Sequence, residues 1–544
     1  MARKFLSNNA FALVSISFVA LFVVLPFWYF GIPSGHDFEF HFNSWIQVVD
    51  HWKHGSLYPH WDASAHYEYG EARFIFYPPF SWTLGALLGL ILPWKLVTGA
   101  YVWIVLTLAG WSMFALARRW LSHRDALFAA AFYAANPYNL VIVYWRSSFA
   151  ELMAAIYIPL LLLLLLRTEE RDRRVVVPLS LLMAAGWLTN LPSAVMMNYS
   201  LGLLALLVAI RRRSLAILSY TAGSMAIGAM LAAFFLMPAY HQQSWVQIGQ
   251  VLAPGVRPLD NFLFTKTSDA DHNTFNLLIS IVTVAEVAVL GLAMLRARRR
   301  FRQLWPLLLA WSMACVLLLL KPTLLLWNHL PELRFIQFPW RWLLCLNVPL
   351  ALVLTGGLRR WSVRTVFCLA MFGVVAGLWI RVQPPWWDNA GDIQEMLDNQ
   401  QDGIGNEGIE EYVPAGADPD DIDQKAPLLH YEGSGTATFA TKEWLPEKRI
   451  FSVTASAPGN VVLRLFNYRS WKVHVDGRIT KAETLSATGQ MVVPVPAGHT
   501  EIRINFVEGR DRTLGTAISI LGFGVVLFWW IKSRSTSLPR QSGI

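Results

Sequence analysis

The chain has little charge. Only 15% of its 544 residues are Asp, Glu, Lys or Arg, while 55% are hydrophobic and the mean hydropathy is +0.40. That balance excludes a soluble globular protein, because no water-facing fold buries so much apolar surface, and it points to a chain embedded mostly in a bilayer. Cysteine is scarce as well. Cys315, Cys345 and Cys368 all fall within apolar runs, which excludes an extracytoplasmic disulfide framework and leaves them as small buried hydrophobes. Tight His-x-His and His-Glu-x-x-His spacings are missing, so there is no dedicated zinc motif. The net charge of +9 lacks the distribution of a nucleic-acid face. Its basic residues form short runs between apolar segments: Arg118-Arg119, Arg171 to Arg174, Arg211 to Arg213, Arg296 to Arg302 and Arg359-Arg360. Such punctuation marks cytoplasmic loops under the positive-inside rule, and no nucleic-acid partner is expected.

Long hydrophobic runs are what the chain does have. The first, from Ala10 to Phe30, follows Arg3 and Lys4 and lacks a small-x-small cleavage site. It reads as an uncleaved anchor with a cytoplasmic N-terminus. Eleven more runs follow, at 96–117, 125–143, 150–166, 175–190, 193–210, 215–237, 275–295, 304–320, 339–357, 363–381 and 513–531, which predicts about 12 transmembrane helices. The run Phe80 to Pro93 is too short to span, and counting it would place Arg118-Arg119 outside; a re-entrant or juxtamembrane helix on the outer side is expected instead. The outer loops are then 31–95, 238–274, 321–338 and 383–512. Within the last, 383–425 is acidic and rich in Gly and Asp, so an irregular segment is expected there. From 426 to 512 short alternating runs divided by turns predict a small β-sandwich. Residues 513–544 return the chain to the cytoplasm through a final helix.

Chemistry concentrates in three places. Ser34-Gly35-His36-Asp37-Phe38-Glu39-Phe40-His41-Phe42 follows the first span directly. If extended, Asp37, Glu39 and His41 share a face; if it starts a helix, Asp37 and His41 share one and Glu39 swings away. Such a carboxylate acts as a general base on a hydroxyl or holds a divalent cation, Mg or Mn, against a phosphate, with Asp37, Glu39 and His41 as the candidate ligands. The plainer reading is a solvated acidic loop. His36, His41, His51, His54, His60 and His66 all lie in this loop, as metal ligands or as interfacial or sugar-contacting groups.

The second place is Asn136-Pro137-Tyr138, followed by Tyr144-Trp145-Arg146 and Glu151, at an outer helix turn. Arg146 is suited to neutralising a phosphate, with Glu151 orienting it or contacting an amine or hydroxyl; a structural ion pair is the alternative. The third runs from Leu330 to Trp342 and sets Arg334 and Arg341 among aromatics, against the charge rule. Binding a lipid phosphate explains them, as do snorkelling anchors. Most of the 25 tryptophans suit the membrane interface, but Trp45, Trp52, Trp61, Trp386 and Trp387 are placed to stack on a sugar. Glu286 is the only acidic residue well inside a predicted span, and no half-to-half repeat is evident.

Many spans, an acidic motif in the first outer loop, a juxtamembrane piece starting Tyr77-Pro78-Pro79 and a terminal outer domain together resemble the GT-C class of integral membrane glycosyltransferases. Gly35-His36-Asp37 with His41, Asn136-Pro137-Tyr138, Tyr144-x-Arg146-(x)4-Glu151, Glu411-Tyr412-Val413-Pro414 and Trp471-Lys472-Val473-His474-Val475-Asp476-Gly477 more closely resemble one bacterial membrane family. That family is described as 6-pyruvoyl-tetrahydropterin synthase-related and is similar to YfhO-type proteins. The histidine triplet of a soluble pterin enzyme is absent. The resemblance implies a GT-C-like domain over 1–382, with Asp37 and Glu39 as catalytic carboxylates. Arg146, Arg334 and Arg341 would face a donor phosphate, and His36, His41, Tyr144, Glu151, Glu411 and Tyr412 would support them. Asp-Phe-Glu stands where many GT-C enzymes carry adjacent acids or Asp-x-Asp. The function implied is transfer of a sugar from a polyprenyl-phosphate donor to a glycan, lipid or protein acceptor on the outer face of a bacterial inner membrane. A lipid donor is required there because nucleotide sugars are cytoplasmic. A transporter or flippase of envelope precursors and a non-catalytic assembly protein are the alternatives.

Overall fold

The computed structural model describes residues 2–168, 173–358, 360–382 and 386–535. Arg171, Arg359 and the tail from 536 lie outside them. Inside a bilayer each backbone N–H and C=O needs a partner within the chain, so apolar runs become helices. Among the described residues, eight helices are long and apolar enough to cross, or up to ten if each of two bent pairs is one span. The bent pairs are Leu215–Leu231 with Ala233–Trp245, at 73°, and Trp305–Leu318 with Lys321–His329, at 90°. The other two expected spans are helical but shorter as apolar helices, Val176–Trp187 and Trp361–Val375. All twelve expected runs thus lie in helices, and among the described residues eight to ten of them meet spanning length and apolarity. Pro79–Ile91 forms a helix of 13 residues, below spanning length, that packs on the helix Phe38–Lys53.

One candidate span, His123–Arg146, is broken. The helix His123–Ala134 stops ahead of Pro137, which has no N–H to continue it. The Asn136 side chain then accepts the Asn139 N–H at 2.9 Å and starts a new turn, Pro137–Val141. Five residues, Ile142–Arg146, follow in a π-helical turn that ends at Ser147 in the left-handed region, φ 53°. The widened turn redirects Arg146.

The segment expected to be irregular is partly ordered. Asn389 and Asp392 form a capping box that starts the helix Ala390–Gln401. Ile393, Met396 and Leu397 on it pack into the core of the spans. Trp387–Asp388 pairs antiparallel with Ile32–Pro33, tying this segment to the first loop. The loop composition of the segment had masked both.

Beyond it lie two antiparallel sheets. One runs Leu429–Gly433, Gly459–Phe466, Gln490–Val495, Glu483–Thr484; the other runs Ala437–Leu445, Lys448–Ala455, Gly498–Phe506, Trp471–Val475, Arg478–Thr480. Alternation puts Val461, Leu463 and Val493 of the first and Phe451, Val453, Ile502 and Ile504 of the second into one core. Trp61, Tyr69 and Phe76 of the first loop join that core. Polar bonds reinforce the docking. Glu447 accepts the His60 backbone N–H at 2.6 Å and meets its Nδ1 at 3.1 Å, and Glu508, just before the final span, meets His60 Nε2 at 2.9 Å. The β region, the first loop and the start of the last span thus share one face.

Candidate active site

The site is assembled where the first loop meets the turn between two spans. Asp37 is the N-cap of the helix Phe38–Lys53, so the helical alternative holds. Its face carries Asp37 and His41, while Glu39 points away and is exposed. The chain before it is stitched to the turn. Gly35 N–H donates to Ser147 Oγ at 3.1 Å, Ser147 Oγ–H donates to Pro33 O at 2.8 Å, and Asp37 N–H donates to Arg146 O at 2.8 Å. Only glycine fits at 35, because a Cβ there would lie 2.5 Å from the Arg146 carbonyl carbon.

Four charged groups follow from this contact. Arg146 Nη2 lies 3.5 Å from Asp37 Oδ2, and its Nη1 donates to Glu151 Oε2 at 2.6 Å. Arg341 Nε donates to the same oxygen at 3.0 Å, and the Tyr138 hydroxyl donates to Glu151 Oε1. Arg341 Nη1 also reaches Ile336 O at 2.7 Å and Gln337 Oε1 at 3.0 Å, whereas its Nη2 has no partner among the described residues. Trp340 lies 4.7 Å from the Arg146 guanidinium, and Phe338 lies 4.7 Å from that of Arg341, which shields both cations from water. The side chains of Arg146, Glu151 and Arg341 are 3%, 0% and 7% exposed, and that of Asp37 is 35% exposed. Asp37 is therefore the carboxylate through which this buried arrangement meets solvent.

The surroundings fix protonation. Burial pushes the His41 imidazole down to about 4, and its Nε2 accepts the Phe149 N–H at 3.1 Å, so it is neutral with its proton on Nδ1. Burial alone would raise the Asp37 carboxyl, but Arg146, with help from the Ser148 hydroxyl and Arg341, outweighs it and holds the group below the ordinary carboxylate range. Asp37 is ionised at neutral pH. Glu411, half-buried near it, goes the other way: burial, then the charges of Glu71 and Asp37, push it up to about 7.

Several expected members stand elsewhere. Arg334 is exposed and lies against the Phe335 ring at 4.9 Å, because Glu332 and Gln337 at positive φ turn its short helix outward. It does not join Arg146 and Arg341. Tyr144 donates to Val23 O and packs on Phe27 and Phe372, anchoring the first span away from the carboxylates. His36 sits on the rim against Phe275 and Trp386. Tyr412 stacks on Phe76 at 6.0 Å and neighbours Phe40. Asp37, Glu39 and His41 do not form a ligand set, since Glu39 turns away and the His41 Nε2 lone pair is committed. Among the described residues no group of three or more His, Cys, Asp or Glu is placed to hold a metal ion. The remaining loop histidines are dispersed: His51 bonds Trp61 O, His54 bonds Asp50 O, His60 pairs with Glu447 and Glu508, and His66 pairs with Glu71. Trp45 and Trp61 are fully buried and offer no face to a sugar.

Gly35, Tyr138, Ser147, Ser148, Gln337 and Trp340 enter the site although the sequence reading gave none of them a role there. Gly35 next to His36-Asp37 and Tyr138 after Asn136-Pro137 were the signals available; the others become site residues only through the fold. No curated protein matches the chain. Residues 74–386, which carry Arg146, Glu151 and Arg341 but not Asp37, match the 6-pyruvoyl-tetrahydropterin synthase related domain, and the chain belongs to that family of membrane proteins.

Proposed function

We propose that this protein is a GT-C-type glycosyltransferase of the bacterial inner membrane. It takes a sugar from a polyprenyl-phosphate donor and transfers it to a cell-envelope glycan, lipid or protein on the extracytoplasmic face. The observation that carries this reading is the half-exposed Asp37 carboxylate set beside the buried Arg146 and Arg341 at the end of two candidate spans. An acceptor hydroxyl hydrogen-bonded to Asp37 attacks the anomeric carbon. The bond between that carbon and the phosphate oxygen breaks, its electron pair leaves with the phosphate, and the hydroxyl proton passes to Asp37. Arg146 and the unpartnered Nη2 of Arg341 receive the charge developing on the leaving oxygen. Asp37 is a weak base while Arg146 faces it. A bound phosphate draws on the same guanidinium and adds a like charge, so Asp37 becomes more basic when the donor is in place.

Transport of envelope precursors is the second reading, favoured by the two bent helix pairs and by Glu286 inside a span. The two readings separate in cells. With Asp37→Asn expressed at the normal level, glycosylation of the envelope acceptor is expected to be lost while lipid-linked donor accumulates on the outer face. Unchanged glycosylation overturns the transferase.

A further inference from the structure

Behind the arginine pair, a second polar contact lies within the spans. Glu286, in the helix Ala270–Ala297, and Asn347, in the helix Leu343–Gly357, are both buried. Asn347 Nδ2 donates to Leu343 O at 2.9 Å and approaches Glu286 Oε2 at 3.5 Å. Glu286 Oε1 and Asn347 Oδ1 each have no hydrogen-bond partner among the described residues. Among the described residues no basic side chain pairs with Glu286. The short helix Pro137–Val141, which carries Tyr138, packs against the helix Ala270–Ala297 that carries Glu286.

Two bare acceptors on side chains already in contact are unfavourable in a dry interior. Each unsatisfied polar atom carries an uncompensated desolvation cost, and an unpaired carboxylate a larger one. One proton on Oε1 removes both penalties: Oε1–H donates to Asn347 Oδ1 while Asn347 Nδ2–H donates to Oε2, closing a cyclic acid–amide pair. Tyr138 extends the connection, since its short helix packs on the helix carrying Glu286 and its hydroxyl donates to Glu151.

We propose that Glu286 is held as a carboxylic acid by Asn347 and acts as a positioning residue, fixing Tyr138 and through it the Glu151 that holds Arg146 and Arg341. The effect on turnover rests on the transferase reading; the acid–amide pair does not.

The test uses the full-length protein in lipid nanodiscs. An infrared spectrum at neutral pH is expected to contain a carboxylic-acid carbonyl band that Glu286→Gln removes. Gln keeps both bonds, an amide N–H replacing the acid O–H, so this variant is expected to retain the wild-type melting temperature and turnover within about threefold. Glu286→Leu keeps the volume but loses both bonds; it is expected to melt lower and to lose turnover by about tenfold or more, with Asn347→Leu alike and the double variant little worse. The proposal is overturned if no acid band disappears in Glu286→Gln, or if Gln behaves as Leu does. Should the wild type show no transfer, the band and the melting temperatures still decide the pair, and only the transferase reading falls.

Discussion

Glu151 accepts from three donors, Arg146, Arg341 and the Tyr138 hydroxyl, and is itself fully buried, so replacing it with Gln isolates charge from shape. The amide fills the same space. Its single oxygen can face the two guanidiniums if the NH2 turns to the Tyr138 oxygen, so geometry is largely kept while one negative charge is removed. Arg146 and Arg341 then stand against Asp37 alone, leaving one excess positive charge in a site where the guanidiniums are 3% and 7% exposed. Breaking a buried ion pair from one side costs roughly 3–5 kcal/mol; because Asp37 is partly solvated and remains beside Arg146, we expect the lower end, about 3 kcal/mol. Removing the excess charge as well, in Glu151→Gln with Arg341→Met, is expected to recover more than half of that loss, about 2 kcal/mol. Thermal unfolding of the purified protein in detergent reads both changes. A cost below about 1 kcal/mol for Glu151→Gln, or no recovery in the double variant, would show that the two arginines do not depend on Glu151.

Docking of the β region should depend on pH. Burial lowers the His60 imidazole, but Glu447 and Glu508 outweigh it and raise the group to about 9 from 6.5. The folded state favours the protonated form, so the contribution is fully present below 6.5 and is lost as pH rises through 9, about 3 kcal/mol at most and less because Glu508 is half-exposed. Limited proteolysis of the β region between pH 6 and pH 10 should accelerate along that course, and His60→Gln should remove the dependence. At Gly35, an Ala side chain would meet the Arg146 backbone and break the bond from Asp37 N–H to Arg146 O. Gly35→Ala is expected to lower transfer by more than about tenfold at normal expression; near-wild-type activity would mean that this stitch does not place Asp37.

Sequence reasoning located the charged cluster better than it located the membrane pieces. Asp37, Arg146, Glu151 and Arg341 were each anomalous where they stood, charged or paired at the ends of apolar runs, and the fold brings these four together. Arg334 was equally anomalous, yet it turns outward because Glu332 and Gln337 adopt positive φ, which neither residue type announces. Whether 37–42 was strand or helix could not be decided from three alternating aromatics, since both periodicities accommodated them; pairing of Gly35 and Asp37 with the turn at Arg146 settled it. The strand character of the terminal region was legible from alternation, and two antiparallel sheets form there. The helix Ala390–Gln401 was not, because its polar composition masked a three-residue apolar face. Composition also does not report bends or helix ends: the chain bends after Leu231 and Leu318, and Val176–Trp187 and Trp361–Val375 are short as apolar helices, so eight to ten of the twelve runs meet spanning length and apolarity among the described residues.

The most direct measurement uses purified protein, a labelled polyprenyl-phosphate sugar and an envelope-glycan acceptor, and follows release of polyprenyl phosphate. The account predicts acceptor-dependent release by the wild type and none above background by Asp37→Asn with unchanged folding. Release by Asp37→Asn at the wild-type rate would contradict it.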